Sequence, residues 1–176
     1  IILPMLQELD AMGRPYHGLL YAGIMLTESG PQLLEFNCRF GDPETQVVVP
    51  RLETDLVDLL LGSLTYRGLS RFSDRIDVSP DAAVCVVAAS GGYPEKPVTG
   101  FPITLVPGMQ YHRDCSFFHA GTTWNEDGQL VTSGGRVVSV VGMGKTHQSA
   151  RAKIYAGIGK VSFQGMQFRR DIASGV

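Results

Sequence analysis

Apolar residues in the first twelve positions, Ile1, Ile2, Met5, Leu6 and Leu9, recur at helical spacing, and Gly13 with Pro15 ends the pattern. The helix opens in mid-pattern, without an initiator Met, and reads as the tail of a longer element. Two apolar-rich strand segments follow, Tyr16 to Glu28 and Gln32 to Phe40, separated by the turn-forming Ser29-Gly30-Pro31. They predict an antiparallel hairpin. After Gly41, Asp42 suits an N-cap, Pro43 the first helical position and Glu44 the positive end of the helix dipole, so a helix is expected to begin there. Pro50 interrupts it, and Asp55 to Tyr66, with Leu56, Leu59, Leu60 and Leu64 on one side, predicts a second amphipathic helix.

The character changes over residues 67 to 80, where Gly68, several polar residues and Pro80 mark a linker or domain edge. Beyond it Ala82 to Ala89 is a continuous apolar run suited to a buried strand, ended by Ser90-Gly91-Gly92-Tyr93-Pro94. Short strands are expected at Ile103 to Val106, Ser116 to His119, Gln129 to Thr132 and Arg136 to Val141. Pro107-Gly108, Asn125-Glu126-Asp127-Gly128 and Gly134-Gly135 divide them, a spacing that predicts a small curled sheet. Thr146 is expected to cap a last helix running to about Val161, and Met166 to Arg169 to form a closing strand.

Composition adds limits. The 176 residues, 44% hydrophobic and 18% charged, suit one large or two small globular domains. Lys and Arg total 15 against 17 Asp and Glu, which argues against nucleic acid or an anionic membrane surface as principal partner and for a small substrate. The chain has no apolar run of membrane-spanning length and no signal-peptide pattern at its start, which points to the cytoplasm. Cys38, Cys85 and Cys115 are odd in number and never in a Cys-x-x-Cys spacing, so they read as buried or semi-buried free thiols.

The chemistry concentrates in Leu34-Glu-Phe-Asn-Cys-Arg-Phe-Gly-Asp42. On a strand Glu35, Asn37 and Arg39 share one face, while Leu34, Phe36 and Cys38 turn to the layer behind, expected to be core. Carboxylate and amide oxygens suit hard magnesium, which completes its shell with water and nucleotide phosphate, and Arg39 would meet a phosphate oxygen. Such alternation is also what any half-buried strand displays. Asp42, Pro43 and Glu44 allow two readings, a turn with a helix cap or an anion-binding corner at a helix N-terminus.

Other motifs carry less. Gly142-Met-Gly-Lys-Thr146 resembles the end of a P-loop, but Ser139 stands where that loop needs glycine, so Lys145 and Thr146 read as a helix start. His17, His112, His119 and His147 lack metal-ligand spacing, and no serine lies in a Gly-x-Ser-x-Gly elbow. Gly134-Gly135-Arg136 reads as a tight turn with an exposed arginine or as a backbone nest for phosphate.

The stretches Tyr21-Ala-Gly-Ile-Met-Leu26 and Leu34-Glu-Phe-Asn-Cys-Arg-Phe-Gly-Asp-Pro-Glu-Thr-Gln46 closely resemble the phosphoribosylamine–glycine ligase (glycinamide ribonucleotide synthetase) family. Ala89-Ser-Gly-Gly-Tyr-Pro94, Phe118-His-Ala-Gly-Thr122, Asp127-Gly-Gln-Leu-Val-Thr-Ser-Gly-Gly-Arg-Val137 and Phe168-Arg-Arg-Asp-Ile172 resemble, in order, motifs of that family's C-terminal domain. The resemblance implies an α+β chain: residues 1–70 as the C-terminal portion of an ATP-grasp domain, antiparallel sheet with helices, 71–80 as a linker, and 81–176 as a small, mostly β domain with a helix. It also implies ATP-dependent joining of glycine to 5-phosphoribosylamine through a glycyl phosphate, with magnesium or manganese.

Carried over by motif, Glu35 and Asn37 are metal ligands and Arg39 stabilises the transferred phosphoryl group or acyl phosphate. Asp42, Pro43 and Glu44 shape the glycine and amine pocket, and Arg136 is a candidate nucleotide contact. Nothing in the chain matches the family's N-terminal domain or the lid that clamps ATP, so the rest of a ligase chain is an expected partner and the segment is expected to be inactive alone. Other ATP-grasp ligases, biotin-dependent carboxylase relatives and a non-catalytic magnesium-nucleotide module are the alternatives. Thr45-Gln46-Val47-Val48-Val49 lacks the Glu-His pair of the carboxylases.

Overall fold

A computed structural model describes residues 1–65, 67–72, 76–106 and 115–175. Tyr66, Pro107, Gly108 and His112 therefore lie outside the described residues. The fold is α+β, and the chain divides into two units, residues 1–45 with 52–78, and residues 46–51 with 79–176.

The first unit opens with α1 (Ile2–Ala11), in which no residue is buried. Strands β1 (Tyr21–Thr27) and β2 (Gly30–Asn37) form the expected antiparallel hairpin, turning where Gly30 takes a positive φ of 100° that glycine adopts without a Cβ penalty. Both strands are shorter than the apolar pattern suggested, and β2 ends at Asn37. Leu34 is passed over in the register, so Gly23 opposes Glu35 while Ile24 opposes Leu33. The bulge displaces the outer half of the hairpin by one residue and sets Tyr21 opposite Asn37.

The helix expected at Asp42 begins instead at Thr45. Residues 42–44 form a turn with a cis Asp42–Pro43 peptide, and only then comes the four-residue α2 (Thr45–Val48). The Thr45 amide donates to Gly41 O at 3.0 Å and its hydroxyl donates to the same carbonyl. Asp42 therefore does not act as the N-cap, and so short a helix offers no substantial dipole for an anion-binding corner. By contrast Asp55 caps α3 (Leu56–Ser63): its Oδ1 accepts from the amides of Val57 at 2.7 Å and Asp58 at 3.2 Å. Of the leucines predicted to share the inward side of this helix, only Leu59 is buried, and Leu64 is 71% exposed.

The second unit is built on β3 (Ala82–Ala89), which matches the predicted apolar run. After β4 (Thr104–Leu105), β5 (Cys115–His119), β6 (Thr122–Trp124) and β7 (Leu130–Thr132) comes β8 (Arg136–Gly144), central in a three-stranded antiparallel sheet ordered β3-β8-β5. Val137, Val138, Val140 and Val141 of β8 are all buried, because β-branched side chains fill both faces of a central strand. Helix α4 (His147–Ile158) covers one face with Ala150, Ile154 and Ile158. Glycine makes this closeness possible, since a Cβ at Gly142 would lie 2.7 Å from Ala150 O.

Thr146 caps α4 as predicted: Oγ1 accepts from the Ser149 amide at 3.1 Å, and Ser149 Oγ accepts from the Thr146 amide at 3.1 Å. The helix stops at Ile158, short of Val161, which instead begins β9 (Val161–Ser162) paired to β4. The closing strand expected at Met166 to Arg169 does not form; Gln167 makes only an isolated bridge to Ala89. The stretch is held from outside, by Arg151 Nη2 donating to Arg170 O at 2.8 Å and Tyr155 Oη donating to Arg169 O at 2.9 Å.

Candidate functional site

Glu35 and Asn37 stand two residues apart near the end of β2, and their side chains meet: Asn37 Nδ2 donates to Glu35 Oε1 at 2.8 Å. The strand period brings them to one side, and the contact turns an amide and a carboxylate into a single polar patch. Glu35 Cγ rests against Gly23 on the neighbouring strand, 3.2 Å from where a Cβ would stand.

The other expectations for this strand need correction. Arg39 lies past the end of β2, and its Nη1 donates to Phe40 O at 2.8 Å rather than continuing the row of Glu35 and Asn37. The opposite side is not core either. Leu34 is 65% exposed, Cys38 is exposed, and Phe36 is only half-buried. The bulge at Leu34 and the end of the ladder at Asn37 interrupt the alternation on which that expectation rested.

Glu44 joins the patch through a residue outside the predicted set. Tyr21, opposite Asn37 on β1, directs its hydroxyl to Glu44 Oε1 at 3.2 Å. The charge of Glu44 first, then desolvation, the hydrogen bond and the charge of Glu35 hold the Tyr21 phenol above its ordinary pKa. Beneath Glu44 lies Gly41, buried, where a Cβ would collide with Glu44 Oε2 and come within 3.0 Å of Cδ. Tyr21, Glu35, Asn37 and Glu44 thus belong to one constellation, with Asp42 exposed and Pro43 half-buried in the turn between. The signal for Tyr21 is its place across the hairpin, which the unpredicted bulge obscures: the register next to the turn would set it opposite Phe36.

Arg136 belongs to the second unit, half-buried at the start of β8, where its carbonyl accepts from the Gly121 amide at 2.8 Å. Lys145 Nζ pairs with Asp81 Oδ1 at 2.7 Å, in keeping with its place at a helix start. His119 Nδ1 lies 3.2 Å from Thr122 Oγ1.

Among the described residues no group of three or more His, Cys, Asp or Glu side chains is placed to hold a metal. A carboxylate beside an amide is nevertheless a donor set that fits magnesium or manganese, whose shells take a few protein oxygens and leave room for water and phosphate. No helix among the described residues is long and apolar enough to cross a membrane.

Residues 83–175 match the family described as phosphoribosylglycinamide synthetase, C domain, and residues 1–45 match phosphoribosylglycinamide synthetase, ATP-grasp (A) domain. The chain belongs to the phosphoribosylglycinamide synthetase family. It is 43% identical over 175 residues to phosphoribosylamine–glycine ligase of Caldanaerobacter subterraneus, across 99% of its own length and 40% of that protein. To the ligase of the same name from Neisseria meningitidis it is 45% identical, covering 98% of itself and 40% of the relative. A crystal structure of phosphoribosylamine–glycine ligase from Thermotoga maritima superimposes with a TM-score of 0.76 at 38% identity, over 94% of this chain and 39% of that one. The chain spans about 40% of the length of the curated synthetases it matches. Its α+β fold corresponds to the C-terminal part of an ATP-grasp synthetase.

Proposed function

We propose that this chain supplies the metal-binding floor of a ligase that couples ATP hydrolysis to joining glycine and 5-phosphoribosylamine. The products are glycinamide ribonucleotide, ADP and phosphate, formed through a glycyl phosphate in purine biosynthesis. Residues 1–70 are then the C-terminal part of the catalytic ATP-grasp domain, 71–80 a linker and 81–176 the C-terminal domain. Family membership supports this reading, and the observation that carries it is the contact of Glu35 with Asn37, linked through Tyr21 to Glu44.

Glu35 and Asn37 would hold magnesium or manganese by their oxygens. The ion, when bound, neutralises charge on the nucleotide phosphates as the phosphoryl group passes to glycine. Arg39 uses one donor on Phe40 O, and the guanidinium's other N–H groups are suited to the oxygens of a phosphoryl group or acyl phosphate. Asp42, Pro43 and Glu44 line the pocket for glycine and the amine, and the Glu44 carboxylate suits an ammonium or amine group. Arg136 contacts the nucleotide. The partners are these small molecules and the remainder of a ligase chain, with no nucleic acid or membrane, in the cytoplasm.

ADP release from glycine, phosphoribosylamine and ATP tests the reading. The 176-residue chain alone is expected to be inert, and turnover when it is joined to the remaining part of a ligase is expected to collapse in Glu35→Ala. Turnover by the isolated chain at the rate of a complete ligase would refute the assignment as a partial site. Unaltered divalent-cation dependence in Glu35→Ala would refute the metal role.

A further inference from the structure

We propose that Tyr21 is a positioning residue: its hydroxyl holds the Glu44 carboxylate in place beside the Glu35–Asn37 pair, so that groups from two separate segments act as one site. The inference rests on the function proposed above and adds a residue that the motif of acidic and amide side chains does not contain.

The elements pose a positional problem that Tyr21 solves. Glu35 and Asn37 are fixed by the ladder of β2, whereas Glu44 is the last residue of the turn at residues 42–44, which no ladder fixes. A glutamate has three side-chain torsions, and holding it in one arrangement costs conformational entropy that some contact must offset. Two contacts do so. Gly41 lies directly under the carboxylate, leaving room that any side chain there would fill. From the other direction the Tyr21 hydroxyl reaches Glu44 Oε1 at 3.2 Å.

Tyrosine is suited to this role. Its ring turns about only two torsions, so the hydroxyl is carried on a stiff arm. That arm starts from β1 opposite Asn37, which ties the placement of Glu44 to the strand bearing the proposed metal ligands. Gly23 completes the arrangement: a Cβ there would stand 3.2 Å from Glu35 Cγ, crowding it, and 3.7 Å from Tyr21 Cε1, in ordinary contact.

Two measurements test the proposal. In the 176-residue chain with ¹³Cζ-labelled tyrosine, the Tyr21 resonance, assigned by its loss in Tyr21→Phe, is expected to titrate at lower pH in Glu44→Gln than in wild type, with a smaller shift in Glu35→Gln. An unchanged Tyr21 titration in Glu44→Gln overturns the proposal, whatever the activity. In the complete ligase containing this segment, Tyr21→Phe is expected to raise KM for glycine or the amine by about threefold to tenfold, the worth of one hydrogen bond, with kcat little changed. The double variant Tyr21→Phe/Glu44→Gln is expected to match Glu44→Gln alone, because Tyr21 acts through Glu44.

Wild-type KM values in Tyr21→Phe, or effects of the two substitutions that multiply, would overturn it. A fall in melting temperature and kcat with KM unmoved would point to a purely structural tyrosine and is likewise a refutation. Cation dependence that survives in Glu35→Gln would instead defeat the functional reading while leaving the Tyr21–Glu44 coupling visible in the spectrum.

Discussion

The two units handle hydrophobic residues in opposite ways. Among the described residues Leu59 is the buried hydrophobic side chain of the first unit, while the second buries Val84, Val86, Val137, Val138, Val140, Ile154 and Ile158 in one cluster. The first unit exposes Leu3, Met25, Leu26, Leu34 and Leu64, all more than half accessible. The difference follows from layers. In the second unit three strands and a helix face each other across a filled interior, whereas a two-stranded hairpin has no second layer of its own and is marginal by itself. Stability therefore resides in the unit that carries the valine-rich strand, and the proposed chemistry in the unit with little core.

The sharpest way to break that contrast is to truncate one large side chain in each unit. Ile154 is fully buried against β8, so Ile154→Ala is expected to lower the unfolding free energy by about 2–5 kcal/mol, the cost of lost transfer energy and a residual cavity. Leu26 is 82% exposed, and Leu26→Ala is expected to change stability by no more than about 0.5 kcal/mol. Urea titrations followed by far-ultraviolet circular dichroism measure both. Equal losses would mean that the hairpin shares the main cooperative core.

Glycine substitutions sharpen the comparison further, because the two units use close approach for different ends. At Gly142 a Cβ would stand 2.7 Å from Ala150 O and 3.1 Å from Ile154 N, both backbone atoms of α4. The helix must retreat, and Gly142→Ala is expected to cost about 1–3 kcal/mol. At Gly41 the nearest obstacle is the flexible carboxylate of Glu44, with the Glu44 Cβ behind it at 3.2 Å. Gly41→Ala is expected to displace that carboxylate with little loss of stability, lowering the titration of the Tyr21 phenol. Comparable destabilisation by the two alanines would erase the distinction.

A smaller effect belongs to the α4 cap. Thr146→Ala removes the acceptor for the Ser149 amide and is expected to cost about 1 kcal/mol, read from the same denaturation curves. Thr146→Ser keeps a capping hydroxyl and is expected to restore most of it.

The second unit was more legible in the sequence than the first, for the same reason that it is more stable. A fully buried strand such as β3 shows itself as an unbroken apolar run, and Thr146 before an amphipathic stretch is a local signal that tertiary context did not override. In the first unit the apolar residues of the hairpin and of α3 signalled elements correctly but not burial, since Leu34 and Leu64 remain exposed. The site was half legible. Alternation along β2 brings Glu35 and Asn37 together as expected, but a one-residue bulge at Leu34 determines what faces them across the hairpin. No residue type announces that bulge, so Tyr21 stayed hidden. The turn at Asp42–Pro43 resembles a helix start in sequence because the residues that suit a cap also suit a tight turn.

The faintest expected effect lies at the C-terminal edge of the stable unit, where a strong-looking ion pair contributes little. Arg169 Nη2 contacts Asp171 Oδ2 at 2.5 Å and Nε contacts Oδ1 at 3.0 Å, and these hydrogen bonds lead the causes that hold the Asp171 carboxyl below its ordinary value. Because the folded pKa is depressed, the pair's contribution is fully present above the ordinary value of 3.8 and is lost as pH falls through the folded one. Both side chains are more than half exposed, so water screens the attraction at every pH. Arg169→Gln is therefore expected to shift the melting temperature at neutral pH barely beyond detection. It should also slightly reduce the acid-induced fall below pH 4. A loss at neutral pH as large as that of Thr146→Ala would show that the tail following β9, rather than the cap of α4, limits the cohesion of the second unit.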